Sequence, residues 1–154
     1  MINVFFDTNI MIDVIGQREQ FCKPSLQILS LADRGFVHVY VSAMSYATAS
    51  FILGKYNKET DIFNEFSKFM KITTATLVDS ATLEQSVDSE FKDFEDAMQY
   101  FSARHENIDY LITRNKKDFK ASGIPVLEPQ EFIDFLLGES KNQNPNINEK
   151  LMDN

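Results

Sequence analysis

The sequence predicts an α/β fold, with a central parallel sheet covered by helices on both faces. β-rich runs at Ile2 to Phe6, Phe36 to Val41, Thr73 to Val78, Ile108 to Thr113 and Ile124 to Leu127 alternate with segments of helical period. Such alternation implies right-handed crossovers and one sheet. The first run is Ile2, Val4, Phe5, Phe6, and it stops abruptly at Asp7, Thr8 and Asn9 before a helical pattern begins. A carboxylate therefore sits at the carboxyl end of a buried strand, the edge where open α/β sheets bind ligands. Taken alone, Asp7 reads as a helix N-cap; the remainder of the chain gives it a second meaning.

With 154 residues, 44% of them hydrophobic and fourteen of them Phe, the chain can bury one good core, which predicts one domain over residues 1–137 and a polar, mobile tail over 138–154. No apolar stretch approaches the roughly 20 residues of a spanning helix, and no leader pattern opens the chain, so a cytoplasmic protein without membrane contact is expected. The single Cys22 excludes an internal disulfide and reads as a half-buried structural thiol. A net charge of −8 argues against holding nucleic acid by long-range attraction, which needs clustered Lys and Arg. A site for metal ions or a basic partner fits it better.

In chain order, a short helix reaches Ile15, and a second carries Leu26, Ile28, Leu29, Leu31 and Ala32 to a stop at Gly35. The strand from Phe36 follows, with His38 an ordinary strand residue. Ser42 is placed to cap the next helix, which contains no acid before Lys58. A Phe-rich helix covers Lys58 to Met70, a strand covers Thr73 to Val78, and Ser80 is read as the cap of a short helix. Asp93-Phe94-Glu95-Asp96-Ala97 then opens a helix to about His105. Acids in a first turn complement the helix dipole, but three exceed that need. Asp93 and Asp96 can share a face, whereas Glu95 is turned about 100° from Asp96. His105 reads as a charge partner at the far end.

The strand Ile108 to Thr113 feeds Arg114-Asn115-Lys116-Lys117-Asp118-Phe119-Lys120, placed beside the first strand's end. A solvated loop would account for a bare charge run; position at the carboxyl edge argues for more. Asp109 is excluded, lying about 13 Å down the strand from Thr113 at about 3.3 Å per residue. Pro129 starts the last helix, with Phe132, Ile133, Leu136 and Leu137. In this architecture Asp7, Asp96 and the loop of Asn115 and Asp118 converge at one edge. Converging carboxylates repel unless a cation neutralises them, and oxygen ligands select Mg²⁺ or Mn²⁺ over zinc.

The segments FFDTN, DFEDAMQY, DYLITRNKKDF and IPVLEPQEF cover residues 2 to 137 in an order and spacing that resemble the PIN-domain family, particularly its bacterial members related to VapC-type toxin ribonucleases. The resemblance implies a three-layer α/β/α sandwich and Mg²⁺- or Mn²⁺-dependent hydrolysis of RNA phosphodiesters. By position, Asp7 and Asp96 match family acids, Asn115 and Asp118 the last cluster, and Thr113 the hydroxyl residue before it. One departure stands out: the family's acid on the helix after the second strand is replaced, with Thr48 at its position and Ser45 one turn earlier.

Two readings follow. The first is a metal-dependent endoribonuclease with Asp7, Asp96 and Asp118 as metal ligands and Asn115 as a neutral partner. Arg114, Lys116, Lys117 and Lys120 would position phosphates, and Thr113, Ser45 and Thr48 would face the substrate. The second is a catalytically degenerate domain that binds protein or RNA. An aspartyl-phosphate hydrolase using Asp7 as nucleophile is a third idea, weakened by Asn9 where a second acid belongs. RNA is the expected substrate, an antitoxin protein is the partner the resemblance implies, and the apolar helices at Lys58 to Met70 and after Pro129 predict a homodimer.

Overall fold

The computed structural model describes residues 1–143. Five strands, β1 (Ile2–Phe6), β2 (Val37–Ser42), β3 (Thr73–Thr76), β4 (Tyr110–Ile112) and β5 (Val126–Leu127), form one sheet in the order β3-β2-β1-β4-β5, and every pair is parallel. Seven helices connect them: α1 (Thr8–Ile15), α2 (Glu19–Asp33), α3 (Ala43–Tyr56), α4 (Ile62–Met70), α5 (Ser80–Val87), α6 (Phe94–Ala103) and α7 (Pro129–Gln143).

The two-residue period of β1 divides the core. Val4 and Phe6 point to one face, where Val39, Val41 and Ile112 from the neighbouring strands meet Ile10, Ile28, Leu53 and Phe132 from α1, α2, α3 and α7. Phe5 points to the other, where it joins Leu111, Tyr100, Ala103 and Phe119. Both faces of β1 are therefore buried, which is why its sequence reads as a continuous apolar run. The result is the α/β/α sandwich that the resemblance implied, with β1 central and its carboxyl end flanked by β2 and β4.

Local chemistry sets the boundaries. Gly35 takes φ +76°, the left-handed turn that ends α2. Ser42 caps α3 by accepting from the Met44 N–H. The cap of α5 is Asp79 and not Ser80, because Asp79 and Thr82 form a reciprocal capping box. Asp61 caps α4, so that helix starts at Ile62 and not near Lys58. Asp109, excluded from the site, accepts from the Asn3 N–H at 2.8 Å, at the amino end of the sheet. The expected tail over 138–154 falls largely outside the described residues, except that 138–143 continue α7.

The apolar residues of α7 are packed against the sheet: Phe132 and Ile133 are buried, and Phe135, Leu136 and Leu137 lie partly buried on the same core. Among the described residues, the apolar side chains of α7 are thus satisfied within the chain and leave no surface there for a dimer. On α4 such a surface persists, because Phe69 faces inward while Phe63 is 84% exposed, and α3 likewise exposes Phe51 and Tyr56. Among the described residues no helix is long and apolar enough to cross a membrane.

Phe119 links this core to the loop after β4. It is buried in the same cluster as Phe5 and Leu111 and stands 6.1 Å from Phe91, edge to face. Phe119→Ala should therefore destabilise the domain by about 3–5 kcal/mol, measured by urea unfolding; a loss under about 1 kcal/mol would show that the loop does not depend on this anchor.

Candidate active site

Asp7 follows the last residue of β1, and its N–H donates to the Ile112 carbonyl across to β4 at 3.0 Å. It occupies the N-cap position of α1, yet its side chain makes no capping bond. Asp61, Asp79 and Asp93 all do cap their helices. The carboxyl group of Asp7 is instead turned into a buried polar network, and only 4% of the residue is exposed. Its Oδ2 accepts from the Thr113 hydroxyl at 2.6 Å and from the Asn9 side-chain amide at 2.5 Å. Gln99, buried on α6, donates to the same carboxyl group and accepts from the Thr8 N–H at 2.9 Å. Burial pushes the Asp7 pKa up, and these hydrogen bonds only partly oppose it.

Asp96, in the first turn of α6, is half-buried, with a pKa raised to about 7. Burial is the first cause, followed by the negative charges of Asp7, Asp93, Asp118 and Glu95. Four carboxylates from three separate segments therefore act on Asp96, which is the convergence that the strand order was expected to produce. Asp93 has an additional task, since its Oδ1 accepts from the Glu95 and Asp96 N–H groups at 2.9 and 3.2 Å. Glu95, set aside on angular grounds, also bears on Asp7. Its half-buried position at the helix start overrides the 100° offset, because charge acts over several ångströms and not only along one helix face.

Asp118 and Asn115 lie on the loop after β4, both exposed, with Asp118 inside a short 3₁₀ turn, Lys116–Phe119. The Thr113 hydroxyl accepts from the Asn115 N–H at 3.0 Å while donating to Asp7, so one buried side chain registers the loop against the strand end.

Several residues placed toward substrate have other positions. Thr113 and Ser45 are fully buried and cannot touch a substrate as they stand. Ser45 is hydrogen-bonded to the Thr8 hydroxyl at 2.7 Å, which ties α3 to α1. Thr48, one turn on, is half-buried. Arg114 is directed away from the loop surface onto Asp13, with Nε 2.5 Å from Oδ2. Lys116 is 2.8 Å from Glu131 on α7, whereas Lys117 is exposed.

Gln99 and Asp13 escaped the sequence reading, and Asn9 entered it only as the neutral residue two places after Asp7, without its role of holding that acid. A signal existed for Gln99, a polar residue three positions after Asp96 in the otherwise apolar stretch Ala97, Met98, Tyr100. Asn9 carries the same kind of signal in Asp-Thr-Asn, two residues from the acid it holds.

The donor set fits a hard divalent cation, being all oxygen, with two carboxyl groups whose pKa values are raised by burial and, for Asp96 above all, by neighbouring carboxylates. Among the described residues, however, no three His, Cys, Asp or Glu side chains are already gathered at metal-holding distance.

The fold and site together define a class: parallel α/β domains that gather acidic side chains at the carboxyl edge of the sheet. The chain belongs to the PIN-domain family, whose model matches residues 3–117. It is 27% identical over 136 residues to the ribonuclease VapC1 of Aquifex aeolicus (strain VF5), covering 85% of this chain and 93% of that protein. A toxin-antitoxin complex from Klebsiella pneumoniae contains a chain similar at 26% identity and a TM-score of 0.59, over 82% of this chain and 97% of that one. VapBC2 from Rickettsia felis, bound to a DNA fragment from its promoter, matches in fold with a TM-score of 0.63 at 15% identity, over 82% of this chain and 98% of that one.

Asp96 gives a pH signature. In the unfolded chain it loses its proton near pH 3.9, and in the folded chain at about 7, so between these values the folded state holds more protons. Stability without metal should therefore fall as pH rises through that window. Asp96→Asn removes this share of the decline: in chelator it should melt higher than the native chain at about pH 8 and alike at about pH 4. Equal melting at both would mean that neither burial nor the neighbouring acids raises the Asp96 pKa. Thr113→Val should cost about 1–3 kcal/mol in urea unfolding, because it leaves the buried Asp7 without its hydroxyl donor; a neutral effect would remove Thr113 from the network.

Proposed function

We propose that this chain is a divalent-metal-dependent endoribonuclease of the VapC type, the toxin of a toxin-antitoxin pair acting in the cytoplasm. The observation that carries the reading is Asp96, raised to about 7 first by burial and then by the negative charges of Asp7, Asp93, Asp118 and Glu95 at the carboxyl edge of the sheet. The likeness to a ribonuclease and to a chain of a toxin-antitoxin complex supports the substrate class and the partner.

Asp7 and Asp96 would hold Mg²⁺ or Mn²⁺, with Asp118 completing the set. When bound, the ion supplies Lewis acidity to the phosphate and acidifies water at the site. Asp118, exposed on its loop, can take up a proton from water or orient it, and Asn115 offers a neutral amide beside it. Exposed Lys117 and Lys120 can position phosphates of the RNA. Thr113, Asn9 and Gln99 hold Asp7 in place and Ser45 steadies Thr8, so their part is positional. Arg114 is engaged elsewhere. A homodimer through the exposed Phe63, Phe51 and Tyr56 surface of α3 and α4 belongs to the same reading.

A degenerate binding domain is the second reading, favoured by one observation: α3 brings no carboxylate to the site, only buried Ser45 and half-buried Thr48. Cleavage of mixed RNA separates the two. Mn²⁺-dependent cleavage that falls at least about 100-fold in Asp7→Asn, with the fold retained by circular dichroism, supports the nuclease. RNA binding without cleavage at any Mn²⁺ concentration supports the binding domain.

Thr48→Glu tests the missing acid. A carboxylate there should tighten Mn²⁺ binding, enlarge the Mn²⁺-induced rise in melting temperature and lower stability in chelator. An unchanged Mn²⁺ shift would mean that position 48 does not face the site.

A further inference from the structure

Asp13 is a fully buried acid that takes no part in the carboxylate cluster. It lies on α1, six residues past Asp7, and two guanidinium groups converge on it. Arg114 approaches with Nε 2.5 Å from Oδ2 and a terminal nitrogen 3.3 Å from Oδ1, while Arg18 reaches Oδ1 at 3.3 Å. The Arg114 guanidinium also lies over the Phe21 ring of α2, 4.3 Å from its centroid. Its backbone N–H donates to the Asn9 side-chain oxygen at 3.4 Å. Arg114 is thus held at both ends, by α1 and α2 through its side chain and by the Asp7 network through its backbone.

Placement gives this clamp its meaning. Arg114 and the buried Phe119 bracket the exposed Asn115, Lys117 and Asp118, so the loop is pinned on one side by charge and on the other by burial. A buried ion pair is poor as a stabiliser, since desolvation offsets most of its attraction and an apolar pair of equal size often serves as well. What an Arg-carboxylate fork contributes is orientation, which a point charge cannot supply.

We propose that Asp13 is a positioning residue: acting through Arg114, it fixes the loop that presents Asn115 and Asp118 to Asp7 and Asp96. The proposal rests on the nuclease reading for its effect on activity, but not for its effect on the loop. The full chain is therefore compared with Asp13→Asn and Arg114→Lys in two ways. Amide hydrogen exchange should speed up in residues 113–119 by about 10-fold or more while β1 and β2 keep their protection; no change there, or a uniform loss across the sheet, would overturn the proposal. In Mn²⁺-dependent RNA cleavage, well below the melting temperature, kcat should fall about 10- to 100-fold with KM near native. The Asp13→Asn, Asp118→Asn double variant should be scarcely slower than Asp118→Asn alone, because the carboxylate that the clamp positions is already gone. Independent, multiplying losses would make Asp13 a structural residue only. Absence of cleavage by the native chain would count against the nuclease reading and leave hydrogen exchange to decide the clamp. If Asp13→Asn does not fold, Arg114→Lys carries both measurements, as it retains the charge and removes the fork.

Discussion

The buried carboxyl group of Asp7 is the constraint on which the site depends. Taking a carboxylate out of water at the end of a central strand raises its pKa, and the hydrogen bonds from Thr113 and Gln99 do not fully reverse this. None of the main influences on Asp7 or on Asp96 is a cation. Among the described residues, the fold thus positions acids at the carboxyl edge of the sheet without a basic side chain to neutralise them. Such an arrangement persists because the polar network is closed: Thr113, Asn9, Gln99, Thr8 and Ser45 join four elements around the strand end, and each loses water in exchange for a partner.

Cations are present nearby, but they are placed differently. Asp13 receives both Arg18 and Arg114, and Glu131 receives Lys116. Charge at this edge is therefore sorted, with Asp13 and Glu131 paired to cations and serving the frame, while the main charged neighbours of Asp96 are other acids. The same sorting explains why the chain can be acidic overall and still present Lys117 and Lys120 on the loop beside the acids. Net charge governs long-range attraction, whereas the loop governs contact.

Much of the architecture was legible because β1 is buried on both faces and ends on a carboxylate, so Val4, Phe5 and Phe6 locate the sheet and Asp7 its functional edge. The convergence of Asp96 and Asp118 on that edge was expected only once the fourth strand was placed beside the first, an order that periodicity by itself cannot give. Side-chain direction was less legible. Arg114, Lys116 and Lys117 are alike as a charge run, yet one is clamped on Asp13, one paired with α7 and one exposed, because their partners lie 101 and 15 residues away. Ser45 and Thr113 were recognised as hydroxyls near the site, but burial turned them into supports. Glu95 was set aside by helical angle alone, a criterion that describes contact within one helix and not the reach of charge.

Proton release on Mn²⁺ binding tests the uncompensated carboxylate cluster most directly. Calorimetric titration at about pH 6 in two buffers of different ionisation enthalpy should show about one proton leaving per bound ion, as the cation displaces the Asp96 proton to the buffer, and the release should fade above about pH 8. Binding with no proton release at pH 6, or no binding of Mn²⁺ at all, would contradict it.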